Sequence, residues 1–325
     1  MIFLDLWGSM YDLIIIGGGP AGLTAGIYAV RMGLETLILE RNAISGQIAL
    51  ADIVENYPGF QSISGLELMD KYKNHAQEAG VQIKITEVVS VHYEETKKII
   101  YTGIGIFESR TVIIATGANP KKINVPGEEE LISRGVSYCA ICDGPFFRNK
   151  TVVVIGGGNS AITEALFLSK IAREVYLLHR REKFRATKIL QDRASVTPNI
   201  KFILNASIME IVGSGGEIRK VAKIIFKDLK NEEIHELATD GVFISIGIHP
   251  NTEIFNLDKD GEGFIRTNNS LETSVKGIYA AGDCRNTLIW QVVAAVRDGA
   301  LAATAANEYI EGRKNMLHDK SSVPS

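Results

Sequence analysis

The sequence predicts an α/β fold of two βαβ dinucleotide-binding units, the second inserted into the first. Two observations carry this. A short apolar run ending in a glycine-rich turn that opens a helix occurs twice, at Asp12–Gly22 and at Thr151–Ala161. Two further strand-then-turn stretches, Thr111–Pro120 and Gly241–Asn251, bracket the second copy and read as linkers.

In the first copy, residues 13–16 are β-branched or leucine and read as a buried strand. Gly17, Gly19 and Gly22, with Pro20 and Ala21 between them, form a G-x-G-x-x-G turn; an amphipathic stretch runs to about Met32 and an apolar run spans Glu35–Glu40. The second copy repeats this with Gly156, Gly158, Asn159, Ser160 and Ala161, a helix to about Ile171 and a strand Glu174–Leu178. Such turns let backbone N–H groups and a helix N-terminus approach a pyrophosphate, and the small third position lets helix and strand pack closely. A lone glycine turn is a weak signal. Two, each in strand–turn–helix–strand context, point to two dinucleotide sites.

The residue closing each second strand separates the two sites. Glu40, 23 residues after Gly17, can accept from a ribose 2′-OH. His179, 23 residues after Gly156, is followed by Arg180, Arg181 and Arg185, which suit a 2′-phosphate that a carboxylate would repel. The other reading of these charges is a solvated basic run. Their place at the discriminating position favours NADPH over NADH.

The expected division is residues 1–120, then an inserted 121–250, then 251–325 returning to the first domain. A helix at Gly65–Ala79, sheet ribbon at Ile83–Tyr93 and Lys98–Phe107, a strand ending at Ala281 and a helix from Gln291 to Tyr309 complete the scaffold. Residues 1–9 read as an apolar arm or a disordered lead, and Lys320–Ser325 as a loose tail.

Cys139-Ala-Ile-Cys142 followed by Asp143 stands just before the second glycine turn. Three cysteines in 325 residues are too few for a disulfide scaffold. A C-x-x-C pair can close into a disulfide ring, take two electrons and pass them on by thiol exchange, with the adjacent carboxyl managing protons. Half a zinc site and chance are the alternatives. Zinc requires two more ligands, whereas Cys284 is isolated and the six histidines form no H-x₃₋₅-H pair. No metal is expected.

With 46% apolar and 22% charged residues the composition is that of an ordinary globular chain, and a net charge of −3 gives no reason to expect nucleic acid or an anionic membrane as partner. No apolar run is long enough to span a bilayer, and the first charge is Asp5 rather than a basic leader, so a cytoplasmic protein is expected.

These residues together resemble the low-molecular-weight thioredoxin reductases of bacteria and archaea, from Tyr11 to about Gly312. The resemblance rests on Gly17–Gly22, Gly46-Gln47, Glu55–Gly59, Ala115-Thr116-Gly117, Cys139–Gly144, Gly156–Ala161, His179–Ala186, Gly282-Asp283 and Gln291–Val293. It implies two Rossmann-like, three-layer ββα domains, with an NADPH domain inserted into an FAD domain. It implies FAD at Gly17, Gly19, Pro20, Ala21, Gly22, Glu40, Gly46, Gln47, Asn56, Thr116, Gly117, Gly282, Asp283, Gln291 and Val292. NADPH falls to Gly156, Gly158, Asn159, Ser160, Ala161, His179, Arg180, Arg181 and Arg185. By the same resemblance Cys142 faces the flavin, Cys139 attacks a thioredoxin-like protein, Asp143 is the acid–base group, the inserted domain rotates about its two linkers, and the protein is a homodimer. Trp290 stands where the family often has arginine, and Thr163 where an acidic residue is frequent. Rival readings keep the fold with a ferredoxin or deazaflavin donor, which would be expected to lose the basic cluster, or make the protein a dithiol oxidase or peroxiredoxin-system reductase. A non-catalytic flavin-binding protein is the third.

Overall fold

The computed structural model describes residues 10–42, 46–51, 53–216 and 219–321. The readings of residues 1–9 and 322–325 lie outside the described residues. In chain order the elements begin β1 (Tyr11–Ile16), α1 (Pro20–Arg31), β2 (Thr36–Glu40), α2 (Gly65–Glu78), β3 (Gln82–Ile85), β4 (Val88–Tyr93), β5 (Lys98–Thr102) and β6 (Gly105–Ile114). They continue with β7 (Ala118–Pro120), β8 (Val136–Ser137), α3 (Ala140–Asp143), β9 (Thr151–Ile155), α4 (Asn159–Leu168), β10 (Glu174–His179), α5 (Lys188–Ser195) and β11 (Ile200–Leu204). The chain closes with β12 (Ala206–Gly213), β13 (Val221–Asp228), β14 (Ile234–Ala238), β15 (Gly241–Ile244), β16 (Ile248–Pro250), β17 (Ile278–Ala280) and α6 (Val292–Ser321).

Two compact units form, one from Met1–Asn119 with His249–Ser325 and one from Pro120–Ile248. In the first, β3-β2-β1-β6 run parallel, β17 pairs with β6, and β5 and β4 continue the sheet antiparallel. Alternation along the strands sorts the apolar side chains to two covered faces, which is why β1 and β2 are apolar at nearly every position. Leu13, Ile15, Ile38 and Ile113 pack under α1, α2 and α6. Ile14, Ile16, Leu37, Leu39 and Ile114 pack under Val88, Val91 and Ile100 of the folded-over hairpin. Each fully buried side chain of this kind stabilises the fold by about 1.5–3 kcal/mol.

The second unit repeats the layering. Its parallel sheet has the order β11-β10-β9-β15-β8, with α3, α4 and α5 over one face and the antiparallel sheet β12-β13-β14 over the other. This is the expected three-layer α/β class. Where the chain passes between units, β7 and β16 pair with each other, Lys121 N–H donating to Gly247 O at 2.9 Å and Asn251 N–H to Gly117 O at 3.0 Å.

The helices start where local chemistry dictates. Pro20 opens α1 at a position whose N–H is unpaired in any helix, and Ser64 caps α2 by accepting from Glu67 N at 3.1 Å. Small residues on α1 and α6 allow close approach: a Cβ at Gly299 would stand 2.2 Å from the Ala21 carbonyl oxygen.

Several expected boundaries change. The stretch Ile83–Tyr93 is two strands: β3 pairs parallel with β2, and β4 starts a hairpin. Lys98–Phe107 is likewise broken by a tight turn, and β6 runs unbroken into the predicted Thr111 strand. Apolar alternation reveals neither the break at Thr86–Glu87 nor the reversal at Gly103. The second-copy helix ends at Leu168, short of Ile171, whereas α6 reaches Ser321, past Tyr309. The strand before Gly282 is only three residues, and the β12–β14 sheet was not foreseen. Among the described residues no helix is long and apolar enough to cross a membrane, and no cluster of His, Cys, Asp and Glu could hold a metal ion.

Candidate active site

The three features predicted to carry chemistry fall at sheet ends. In the first unit, Gly17 has φ +109°, and a Cβ there would lie 2.3 Å from the Ala115 carbonyl oxygen. A Cβ at Gly22 would lie 1.9 Å from Gly17 O. These two glycines are required by the protein's own packing. Gly19 is not: its nearest protein neighbour to a Cβ is Gly46 Cα at 3.9 Å, and its φ of −74° suits any residue. Gly158 in the second turn is the same case, with nothing within 4 Å and φ −94°. A glycine that neither sterics nor backbone demands leaves room for something else to approach, which is the role of the middle glycine beside a pyrophosphate. Both turns therefore fit a dinucleotide.

Around the first turn, Glu40 closes β2 with both carboxylate oxygens engaged, accepting from Gly18 N at 2.6 Å and Asn42 N at 2.7 Å. Free lone pairs remain on it for a ribose hydroxyl. Asn56 and Gln291, far apart in sequence, meet: Asn56 Nδ2 donates to Gln291 Oε1 at 3.0 Å, and Val292 begins α6 directly after. Gly46 has φ +77°, a Cβ built there would stand 3.4 Å from Gly19 Cα and Pro20 Cδ, and Gln47 donates to Asn119. Thr116 and Asn251 exchange bonds, Oγ1 to O at 2.6 Å and Nδ2 to O at 2.9 Å, beside Gly117. Trp290 lies against Phe264, ring centroids 5.9 Å apart.

Gly282 and Asp283 follow β17, and here the structure adds a residue that sequence reasoning missed. Asp298 on α6 is only 3% exposed; it accepts from Gly282 N at 3.3 Å and from Arg285 and Arg297, each at 2.9 Å. It fixes the Gly282–Asp283 turn from behind. Its only sequence signal is an acid among the small residues of the first half of α6. Burial first, and the Asp298 charge second, push the Asp283 carboxyl up to about 6. Burial likewise raises the Cys284 thiol to about 11, so it stays a neutral donor to Ile114 O and Ala281 O.

The raised Asp283 value carries a sign. Between its ordinary value of 3.8 and about 6 the folded chain keeps a proton that the unfolded chain has released. Stability of the flavin-free protein is therefore expected to fall by about 3 kcal/mol as pH rises through that window and to level off above it. Asp283→Asn should abolish the slope; urea unfolding at pH 4.5 and 7 checks this, and an unchanged slope in the variant removes Asp283 as its cause.

In the second unit a Cβ at Gly156 would stand 2.2 Å from Ser245 O and 2.6 Å from Ala161 Cβ, so strand, turn and helix are in contact. His179, 6% exposed, sits over Gly157: a Cβ there would fall within 2.3–2.5 Å of three ring atoms. The ring stacks on Phe184 at 5.5 Å, its Nε2 has no hydrogen-bond partner among the described residues, and burial holds its pKa down. His179 is thus a neutral prop beneath the turn. Arg180, Arg181 and Arg185 are exposed, and among the described residues none is in an ion pair. Their loop is folded back on the turn, Arg185 N–H donating to Gly157 O at 2.7 Å and Thr187 N–H to Asn159 Oδ1 at 2.9 Å. Ser160 is exposed on the first turn of α4.

Cys139 and Cys142 are joined as a half-buried disulfide, Cα atoms 5.3 Å apart, with Asp143 next along α3. The Cys142 N–H points at Cys139 Sγ at 3.2 Å, and Ser137 Oγ accepts from Cys139 N at 3.0 Å. Behind this, Glu128 is 1% exposed and accepts from Ile123 N, Asn124 N and Tyr138 Oη at 2.6–3.0 Å. One buried carboxylate therefore ties Ile123 and Asn124, just past the first linker, to the residue preceding Cys139.

Two open glycine cradles and a half-buried disulfide define an oxidoreductase that couples dinucleotides to a disulfide. The sequence matches the pyridine nucleotide-disulphide oxidoreductase family over residues 11–299. It is 45% identical to the thioredoxin reductase of Bacillus subtilis over 310 residues, 95% of this chain and 97% of that one. The structure of the Streptococcus pyogenes thioredoxin reductase overlays with a TM-score of 0.89 at 40% identity, covering 94% and 100% of the two chains. That of the Lactococcus lactis enzyme, described as an FR conformation, overlays at 0.63 with 41% identity, covering 93% and 99%. The chain belongs to the pyridine nucleotide-disulphide oxidoreductases, and within them to the low-molecular-weight thioredoxin reductases.

Proposed function

We propose that this chain is an NADPH-dependent flavoprotein that reduces the disulfide of thioredoxin or a thioredoxin-like protein. The carrying observation is a half-buried Cys139–Cys142 disulfide in the same unit as a glycine cradle flanked by three exposed arginines that form no ion pair among the described residues. FAD in the first unit supplies the conversion between a hydride from NADPH and two electrons for the disulfide.

The protein's own residues do the rest. Opening Cys139–Cys142 consumes two electrons and two protons, and in this reading Asp143, the residue after Cys142 in α3, delivers and removes a proton. The Cys142 N–H aimed at Cys139 Sγ favours the thiolate there. That thiolate attacks one sulfur of the partner's disulfide, forming a mixed disulfide and releasing the other sulfur as a thiolate that takes up a proton. Cys142 then attacks Cys139 Sγ, restoring the intramolecular bond and freeing the partner as a dithiol. Ile141 and Phe146, exposed beside the pair, support a protein rather than a small-molecule oxidant.

In this reading residues 1–120 and 251–325 hold FAD, residues 121–250 hold NADPH, and the second domain rotates about the β7–β16 ribbon. The two relatives at 40% and 41% identity that overlay at 0.89 and 0.63 support a fold whose arrangement varies within the family. The reading extends to a homodimer working in the cytoplasm, where a C-x-x-C pair cycles instead of locking. Anaerobic rapid mixing tests it: NADPH should bleach the flavin much faster than NADH, and oxidised thioredoxin should restore the colour. An unbleached flavin rejects the reading.

A further inference from the structure

Ser137 is a buried hydroxyl that the electron path above does not use. It is the second residue of β8, where Val136 pairs with Val242 and Ser137 with Phe243 of β15. Paired residues of neighbouring strands share a face, so Ser137 stands on the helix-covered side with Phe243, which packs among Ala140, Phe147, Val152 and Val154. It is 4% exposed. A polar group in such surroundings costs stability unless it is hydrogen-bonded. Here both bonds of the hydroxyl go to one residue: Oγ accepts from Cys139 N at 3.0 Å and donates to Cys139 O at 3.3 Å.

Those bonds fix the backbone of the residue whose sulfur attacks the partner. Cys139 caps α3 in extended conformation, φ −143° and ψ 99°, and α3 is only four residues long, a length at which a helix gains little from its own bonds. While the disulfide is closed, the ring itself holds Cys139 against Cys142. Reduction removes that covalent restraint, and any backbone freedom gained at 139 has to be given up again when the ring closes. A hydroxyl bonded to both the N–H and the carbonyl of Cys139 removes this freedom in advance.

We propose that Ser137 is a positioning residue that holds Cys139 in ring-closing geometry in the reduced protein and so makes the dithiol a stronger reductant. Closing forms the Cys139–Cys142 bond and releases two electrons and two protons, which a disulfide takes up as two thiols. The proposal rests on the reading of Cys139 and Cys142 as the pair that reduces the partner.

Equilibration of the holoenzyme with mixtures of reduced and oxidised dithiothreitol measures that reducing power. After acid quenching, denaturation and alkylation, mass gives the fraction with both thiols of the pair open, the free Cys284 adding a constant one. Ser137→Ala is expected to reach half-reduction at an about five-fold lower ratio of reduced to oxidised dithiothreitol, the worth of one neutral hydrogen bond. That is a shift of about 20 mV toward easier reduction. Ser137→Thr, which keeps the hydroxyl, should titrate with the parent. If alanine yields no folded protein, Ser137→Val, the shape of threonine without its hydroxyl, takes its place. An alanine or valine variant that titrates with the parent, with or without a fall in melting temperature, makes Ser137 merely structural and overturns the proposal. A threonine variant displaced as far as alanine overturns it too. No thioredoxin enters this titration, so the result is independent of which partner the protein serves. A parent whose pair stays closed at every ratio rejects the reading of Cys139 and Cys142 as the working pair, and this proposal with it.

Discussion

Serine in place of Cys142 is expected to stop reduction of a thioredoxin disulfide by more than about 10⁴-fold, as removal of a reacting group does. A hydroxyl neither holds the oxidised bond nor re-attacks Cys139 Sγ. Flavin bleaching by NADPH should survive, because the two glycine cradles and the arginine loop are untouched. Cys139→Ser should lose turnover equally yet differ in one respect: it leaves Cys142 as a thiol with no ring to close, so no mixed disulfide forms through Cys139. Trapping with a thioredoxin that lacks its resolving cysteine and carries its other sulfur in a disulfide with thionitrobenzoate distinguishes the variants: the Cys139 thiolate of Cys142→Ser should displace thionitrobenzoate and leave a covalent adduct through Cys139. Turnover near the parent's in either variant would take the pair out of the path.

Neutralising the loop after β10 should have the next largest effect, and a purely kinetic one. Arg180, Arg181 and Arg185 are exposed and carry no ion pair among the described residues, so nothing in the fold depends on their charge. Converting all three to glutamine is expected to raise KM for NADPH about 10³-fold, roughly tenfold per charge-assisted bond lost. KM for NADH should stay put, and so should the melting temperature. Because the cluster is exposed, the NADPH preference of the parent should also decline with salt. A triple variant that still prefers NADPH would return these charges to being a solvated surface.

What the sequence disclosed and what it hid follow one physical line. Gly17, Gly22 and Gly156 are constrained by neighbours within a few residues or one strand away, so their spacing alone exposes the turn. Cys139 and Cys142 are local for the same reason. The Asn56–Gln291 bond and the support of the Gly282 turn by Asp298 join elements that only the folded sheet brings together. His179 shows a subtler limit. Its place at the end of β10, directly before Arg180, groups it with the arginines in the sequence, yet its ring is buried, and its visible work is to support Gly157. Hydrophobic patterning did worst at Gly103, where a hairpin reverses the chain without changing the run of apolar residues.

The fit of the His179 ring over Gly157 has a consequence for anyone reshaping cofactor choice. The two positions are one packed unit: a side chain at 157 requires the imidazole to leave, and a smaller residue at 179 leaves a ring-sized hole under the turn. Redesign toward NADH can alter the three arginines freely, but once it reaches His179 it has to rebuild the floor on which either nucleotide would rest.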